Sequence, residues 1–183
     1  ASLWTKDAEG QKEVAARLGW LAAPKLMKEK VSELETFAKE IKSAGFTKVL
    51  LLGMGGSSLA PEVFQKVFGI KKGFPELLVL DSTDPLRVQD IEAKLDLSKT
   101  LFIVSSKSGG TIELSSFFKY FYGKVKALKP DNTGEQFVAI TDPGSPLEEN
   151  AKQNNFRKVF LASPDVGGRF SALTYFGLVP AAL

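Results

Sequence analysis

The sequence predicts an α/β fold: a three-layer, doubly wound sandwich built on a five-stranded parallel sheet, with additional helices at the N-terminus. Three observations carry this expectation. Five short apolar runs recur along the chain from Lys48 onward. Segments with helical spacing separate them. Glycine- and serine-rich turns follow several of the runs. Strands that alternate with helices form right-handed βαβ units, and the parallel sheet they build is covered on both faces.

The chain has 183 residues, enough for one domain or one domain with a short appendage. Residues 1–45 read as a helical segment that packs on the domain. Leu18, Leu21, Leu26, Val31, Leu34, Phe37, Ala38 and Ile41 recur there at helical spacing. Pro24 suits the first turn of a second helix, and Gly45 suits its end. Residues 46–183 form the main domain. Lys48-Val49-Leu50-Leu51-Leu52 is a continuous apolar run, as expected of a strand buried on both faces. Leu77–Leu80, Leu101–Val104, Phe137–Ile140 and Lys158–Leu161 repeat the pattern. The intervening helices are expected over Leu59–Phe68, Pro85–Leu95, Thr111–Leu128 and Pro146–Asn154. Fourteen Phe predict an aromatic-rich core. No charge follows Arg169, so Phe170–Leu183 reads as the start of a helix that packs on something, and the chain as part of a longer protein.

Composition removes several function classes. The net charge of +3 is mild, and the lysines at 25, 28, 30, 39 and 42 are interleaved with glutamates, the pattern of a solvated helix face. No basic stripe with aromatics appears, so nucleic acid is not an expected partner. The chain has no Cys, which excludes disulfides and thiolate chemistry, and no His, the commonest general acid/base and metal ligand. No metal site is expected. No apolar run reaches the roughly 18 residues of a membrane span, and the first residues lack the apolar core of a signal peptide. A cytoplasmic protein is the expectation.

In parallel α/β sheets ligands bind outside the carboxyl ends of the strands. After the first strand comes Gly53-Met54-Gly55-Gly56-Ser57-Ser58. Two readings fit: a ligand loop at a helix N-terminus, or a plain turn with Ser58 as N-cap. After the second strand, Asp84 or Thr83 suits a cap for the helix that Pro85 begins, and Asp81 is a weaker candidate for ligand contact. After the third strand comes Ser105-Ser106-Lys107-Ser108-Gly109-Gly110-Thr111, the most specific feature of the chain. Four hydroxyls, two glycines and a lysine precede a helix in seven residues. Capping needs one hydroxyl. A phosphate monoester accounts for the surplus, because its oxygens require several convergent donors. Lys107 is expected to point to solvent, with its backbone N–H engaged. After the fifth strand, Gly167-Gly168-Arg169 fits either an arginine reaching a ligand or an arginine paired with a carboxylate such as Asp165. A dinucleotide-binding fold is the chief rival, since Gly53-Met54-Gly55 begins like G-x-G-x-x-G and Asp81 ends the second strand. Its third glycine position is Ser58, however, and it leaves the serine loop unexplained.

Three ordered motifs resemble one family. Gly53-Met54-Gly55-Gly56-Ser57-Ser58-Leu59, Ser106-Lys107-Ser108-Gly109-Gly110-Thr111-Ile112-Glu113 and Val166-Gly167-Gly168-Arg169-Phe170-Ser171 are similar to the first sugar-isomerase (SIS, flavodoxin-like) domain of glucose-6-phosphate isomerases. Leu173-Thr174-Tyr175-Phe176-Gly177-Leu178 continues the match, which covers residues 46–183. Leu3-Trp4-Thr5 and Arg17-Leu18-Gly19-Trp20 resemble the isomerase part of transaldolase–isomerase fusions. The resemblance implies interconversion of glucose 6-phosphate and fructose 6-phosphate through an enediol, without metal or cofactor. It places the phosphate on Ser106, Lys107 (through its backbone), Ser108 and Thr111, with Ser57 contributing and Gly56 and Gly168 beside the sugar. Arg169 would stabilise the enediolate. The family's base, ring-opening histidine and late lysine have no counterpart here, and Glu113 sits at a helix start, where a carboxylate favours the dipole. The expectation is an incomplete active site. Its partners are a sugar phosphate and the remainder of an isomerase chain, and the whole is a homo-oligomer. A stand-alone phosphosugar-binding regulatory module is the alternative.

Overall fold

The structure is a computed structural model and describes all residues from Ala1 to Leu183. Five strands, β1 (Lys48–Gly53), β2 (Glu76–Leu80), β3 (Thr100–Ser105), β4 (Phe137–Thr141) and β5 (Lys158–Leu161), pair in parallel in the order β2-β1-β3-β4-β5. This is the doubly wound arrangement, and the expected strands differ from the observed ones by one residue at most at either end. Every residue of β3 and β4 is buried, which explains why these strands read as continuous apolar runs rather than alternating ones.

Eight α-helices accompany the sheet: α1 (Ala8–Ala15), α2 (Ala23–Lys28), α3 (Val31–Ser43), α4 (Leu59–Phe68), α5 (Pro85–Glu92), α6 (Ile112–Leu128), α7 (Pro146–Gln153) and α8 (Tyr175–Ala182). Alternate strand residues face opposite layers. Val49, Leu51, Leu101, Ile103, Val138 and Ile140 meet Leu34, Phe37 and Ile41 of α3 and Phe176 and Val179 of α8. Leu50, Leu52, Phe102, Val104, Phe137 and Ala139 meet Ile91 of α5, Leu114, Phe117 and Phe121 of α6, and Leu147 of α7. The second layer holds five buried phenylalanines among its fifteen core residues, and Phe102 stacks on Phe137 at 4.9 Å. Burying one such side chain contributes about 1.5–3 kcal/mol, so each layer is held by many comparable increments.

The N-terminal region departs from the sequence reading. One helix from Pro24 to Gly45 is expected, but the chain turns at Glu29 and Lys30 and forms α2 and α3. Only Ala23 of α2 is buried, whereas α3 buries four residues against the sheet. Leu18, Leu21, Leu26 and Val31 lie exposed rather than in the core. Packing against the sheet sets where the helix begins, and local spacing does not see the sheet. The apolar C-terminal segment forms α8, which packs on this same domain. Tyr175 at its start donates a hydrogen bond to Glu33 of α3 at 3.0 Å. Burial, with the nearby Glu33, pushes the Tyr175 phenol up to about 12, so it holds its proton across the physiological range.

Candidate functional site

The strand order reverses between β1 and β3, and this is where the chain connections diverge to opposite faces. Gly53 at the end of β1 lies in register with Ser105 at the end of β3, so the glycine loop and the serine loop leave the sheet side by side. A crevice at this switch point is the expected ligand position in an open α/β sheet. A cavity of about 370 Å³ opens there. It brings together Gly56, Ser57, Ser106, Lys107, Ser108, Thr111 and Gly168 from the sequence-derived set. It adds Met54, Ser105, Leu114 and Asp142. A larger recess, about 550 Å³, lies at the opposite edge of the sheet around Gly45, Lys99 and Arg157, away from the loops that carry the motifs. No cluster of three acidic side chains converges anywhere in the fold in the manner of a metal site.

The serine loop is wound so that its donors converge. Ser106 is buried; its Oγ accepts from the Gly109 N–H at 3.1 Å and lies 3.3 Å from Thr111 Oγ1. Ser108 Oγ accepts from the Gly110 N–H at 3.4 Å. Gly109 has φ +69°, and a Cβ there would come within 2.7 Å of the Leu147 backbone nitrogen, so glycine is required for both the turn and its seat on α7. Thr111 occupies the N-cap position of the 17-residue α6 yet makes no side-chain capping bond. The bland explanation of these hydroxyls, helix capping, therefore does not account for them. The backbone N–H groups of Lys107 and Ser108 also have no protein acceptor. These loop hydroxyls, two free amides and the positive end of a long helix face one cavity, an arrangement suited to a bound anion.

Lys107 differs from expectation. Its ammonium does not point to solvent: it pairs with the Asp142 carboxylate and donates to the Pro164 carbonyl at 2.9 Å. Asp142, in the loop after β4, offers a half-buried acceptor that draws the long side chain across the sheet edge. The lysine thus ties the loops after β3, β4 and β5 together and leaves its backbone, not its charge, to the cavity. Asp142 Oδ1 and Ser105 Oγ are buried without a hydrogen-bond partner beside this cavity. Such groups are uncommon in native folds and concentrate where a ligand or water completes them.

The glycine loop and the arginine loop touch through their backbones. A Cβ on Gly56 would lie 2.3 Å from the Gly168 oxygen. Ser171 Oγ donates to Gly168 O at 2.6 Å and lies 3.2 Å from Gly56 O, clasping the two segments. Arg169 follows directly but is exposed, does not line the cavity and has no ion-pair partner. The pairing with Asp165 is absent; Asp165 instead accepts from Ser163. Ser58 sits at the N-cap of α4, but its hydroxyl donates back to Gly55 O at 3.1 Å and does not cap. Asp84 caps α5 by accepting from the Leu86 and Arg87 amides. Asp81 is exposed and lies outside the cavity, which removes the ribose-binding role that the dinucleotide reading gave it.

Two residues at the site escape sequence reasoning. Ser105 counts among the four hydroxyls but not among the binding residues. Asp142 directly follows β4 in Thr141-Asp142-Pro143-Gly144-Ser145, a position at a strand's carboxyl end where ligands gather in parallel sheets.

The profile of the phosphoglucose isomerase family ("Phosphoglucose isomerase") matches residues 8–183. A glucose-6-phosphate isomerase of Carboxydothermus hydrogenoformans is 31% identical over 182 residues, covering 94% of this chain and 39% of that protein. A crystal structure of a hypothetical protein from Thermus thermophilus superposes with a TM-score of 0.83 at 32% identity, over 91% of this chain and 39% of that one. A crystal structure of a glucose-6-phosphate isomerase from Chlamydia trachomatis gives 0.74 at 29% identity, over 87% and 30%. The chain thus spans between 30% and 39% of the length of these proteins. No helix is long and apolar enough to cross a membrane. With its profile match running through nearly the whole sequence, on a fold shared with these solved structures, this chain belongs to the phosphoglucose isomerase family.

Proposed function

We propose that this chain is the sugar-phosphate-binding part of a glucose-6-phosphate isomerase. The whole protein would interconvert glucose 6-phosphate and fructose 6-phosphate through an enediol, in glycolysis and gluconeogenesis. One observation carries the reading: the hydroxyls of the serine loop and two backbone amides left free by the fold converge on one cavity at the switch point of the sheet. In this reading Ser106, Ser108, Thr111 and the Lys107 N–H hold the phosphate, and Ser57 adds a further hydroxyl. Gly56 and Gly168 let backbone approach the sugar. Arg169, free of any carboxylate, swings onto the enediolate oxygens and stabilises their charge. No histidine exists in the chain, and the only carboxylate on the cavity wall, Asp142, is engaged by Lys107. Proton abstraction and ring opening fall to residues of the remaining isomerase chain, the partner of this part. We place residues 1–45 as a helical segment on a sugar-isomerase domain of residues 46–183, in a cytoplasmic homo-oligomer.

Titration calorimetry with fructose 6-phosphate tests the clamp. Each charge-assisted hydrogen bond contributes about 1.5–3 kcal/mol, so Thr111→Val is expected to weaken binding roughly tenfold or more. Unchanged affinity would reduce the loop to a structural turn. In a coupled isomerase assay the 183-residue chain is expected to be inactive, and robust turnover would overturn its incompleteness.

A further inference from the structure

We propose that Trp20 is a positioning residue for Arg169, acting through Phe170. This inference rests on the reading of Arg169 as the group that meets the enediolate. The arginine side chain has no partner, so only its backbone can be fixed before substrate arrives. Its two neighbours are both anchored. On one side Gly168 packs its carbonyl against Gly56. On the other, the Phe170 ring stacks on Trp20, with centroids 5.5 Å apart and planes 20° from parallel.

Trp20 is itself held at this edge of the sheet. It lies in a 3-10 turn over Gly19–Leu21, between α1 and α2. The residue before that turn, Leu18, forms an isolated antiparallel bridge with Val166. The Gly19 N–H donates to Asp165 O at 3.2 Å. A Cβ on Gly19 would lie 2.3 Å from the Asp165 carboxyl carbon, so the Asp165 side chain packs directly over this glycine. The N-terminal segment is therefore pinned to the arginine loop by one bridge and one further backbone hydrogen bond, with the indole in the turn that follows. From the other side Lys107 donates to Pro164 O and fixes the start of the same loop.

The Trp20–Phe170 pair belongs to neither hydrophobic layer of the core, and the two rings are 39% and 50% exposed. Packing that served overall stability would be expected deeper in the fold. A half-exposed stack beside an unpartnered arginine instead selects one loop conformation, with little effect on whether the chain folds.

The test uses Trp20→Ala and Trp20→Phe, each with and without Arg169→Ala. Binding is read by calorimetry with two probes: inorganic phosphate, and a sugar-acid phosphate whose terminal carboxylate mimics the enediolate oxygens. Loss of one aromatic pair is expected to weaken the carboxylate probe about fivefold while phosphate stays within about twofold. Trp20→Phe is expected to restore the wild-type value, and Trp20→Ala to add nothing once Arg169 is gone. Hydrogen exchange at the Phe170 amide, which donates to Gly167 O at 2.9 Å, is expected to quicken about fivefold in Trp20→Ala and to recover in Trp20→Phe. Equal losses for both probes, an additive loss with Arg169→Ala, or an unchanged Phe170 amide would overturn the inference. If Arg169→Ala alone leaves the carboxylate probe unaffected, the isomerase role of Arg169 fails; the amide exchange still decides whether Trp20 fixes the loop.

Discussion

Replacing Gly56 by alanine adds one methyl group where the glycine loop meets the arginine loop. The new Cβ would sit 2.3 Å from Gly168 O and 2.4 Å from its carbonyl carbon. Non-bonded carbon contacts settle near roughly 3.5 Å, so the loops must part by about 1 Å. The obstacle is backbone and has no rotamer with which to yield. Ser171 holds it in place through its bond to Gly168 O and its approach to Gly56 O, and separation strains that clasp. Overpacking of this kind costs about 1–3 kcal/mol. Urea unfolding of Gly56→Ala should show a loss in that range. Both glycines line the cavity, so fructose 6-phosphate affinity should fall about tenfold as well. Gly123→Ala is the control: it lies inside α6 with no heavy atom within 4 Å of its Cβ position, and it should equal or slightly exceed wild-type stability. A Gly56→Ala protein with wild-type stability and affinity would refute the close approach of the two loops.

Two further substitutions and conditions probe the surrounding supports. Lys107→Met leaves the half-buried Asp142 carboxylate without its cation and should cost about 1–2 kcal/mol in urea unfolding; adding Asp142→Asn should recover most of the loss, and a double variant as unstable as the single would argue against the pair. Acid should loosen the fold through glutamates held below their ordinary value of 4.5: Glu148 by hydrogen bonds from Lys152 and Gly144, Glu92 by Lys124 and Tyr120, and Glu33, where Lys158 and Tyr175 outweigh the upward push of burial. Because these folded values are depressed, their stabilisation is present above about pH 4.5 and fades as pH falls through the lowered values, so the urea midpoint should drop as pH falls below about 4.5; a flat midpoint would contradict the sign.

The sheet was legible in the sequence because burial on both faces erases alternation. Leu101–Val104 and Phe137–Ile140 can be apolar at every position only if helices cover both sides, and these runs mark the strands within a residue. The N-terminal helices were less legible. Leu18, Leu21 and Leu26 sit at helical spacing but face outward, since what they would pack on is decided by the path of the chain over the arginine loop and not by their own periodicity. At the site, the loop is legible because its hydroxyls exceed what a helix end consumes; in the structure Thr111 makes no side-chain cap on α6, and the loop lines the cavity. The partner of Lys107 lies 35 positions away in sequence, and no local pattern joins it to Asp142.

That long-range pair changes how the serine loop works. A lysine among serines at a helix start suggests a site that attracts phosphate by charge. Asp142 cancels that charge and turns the ammonium into a brace between three loops. What the proposed site would offer an anion is a set of dipoles: the hydroxyls of Ser106, Ser108 and Thr111, the free N–H groups of Lys107 and Ser108, and the N-terminus of α6. Dipoles reward a ligand only at hydrogen-bond distance and in the right direction, whereas a bare cation attracts any anion from further away. Affinity in such a site depends on loop geometry, so the supports of that geometry, Gly109 on Leu147, Gly56 on Gly168 and Lys107 on Asp142, matter to binding as much as the hydroxyls that would touch the ligand.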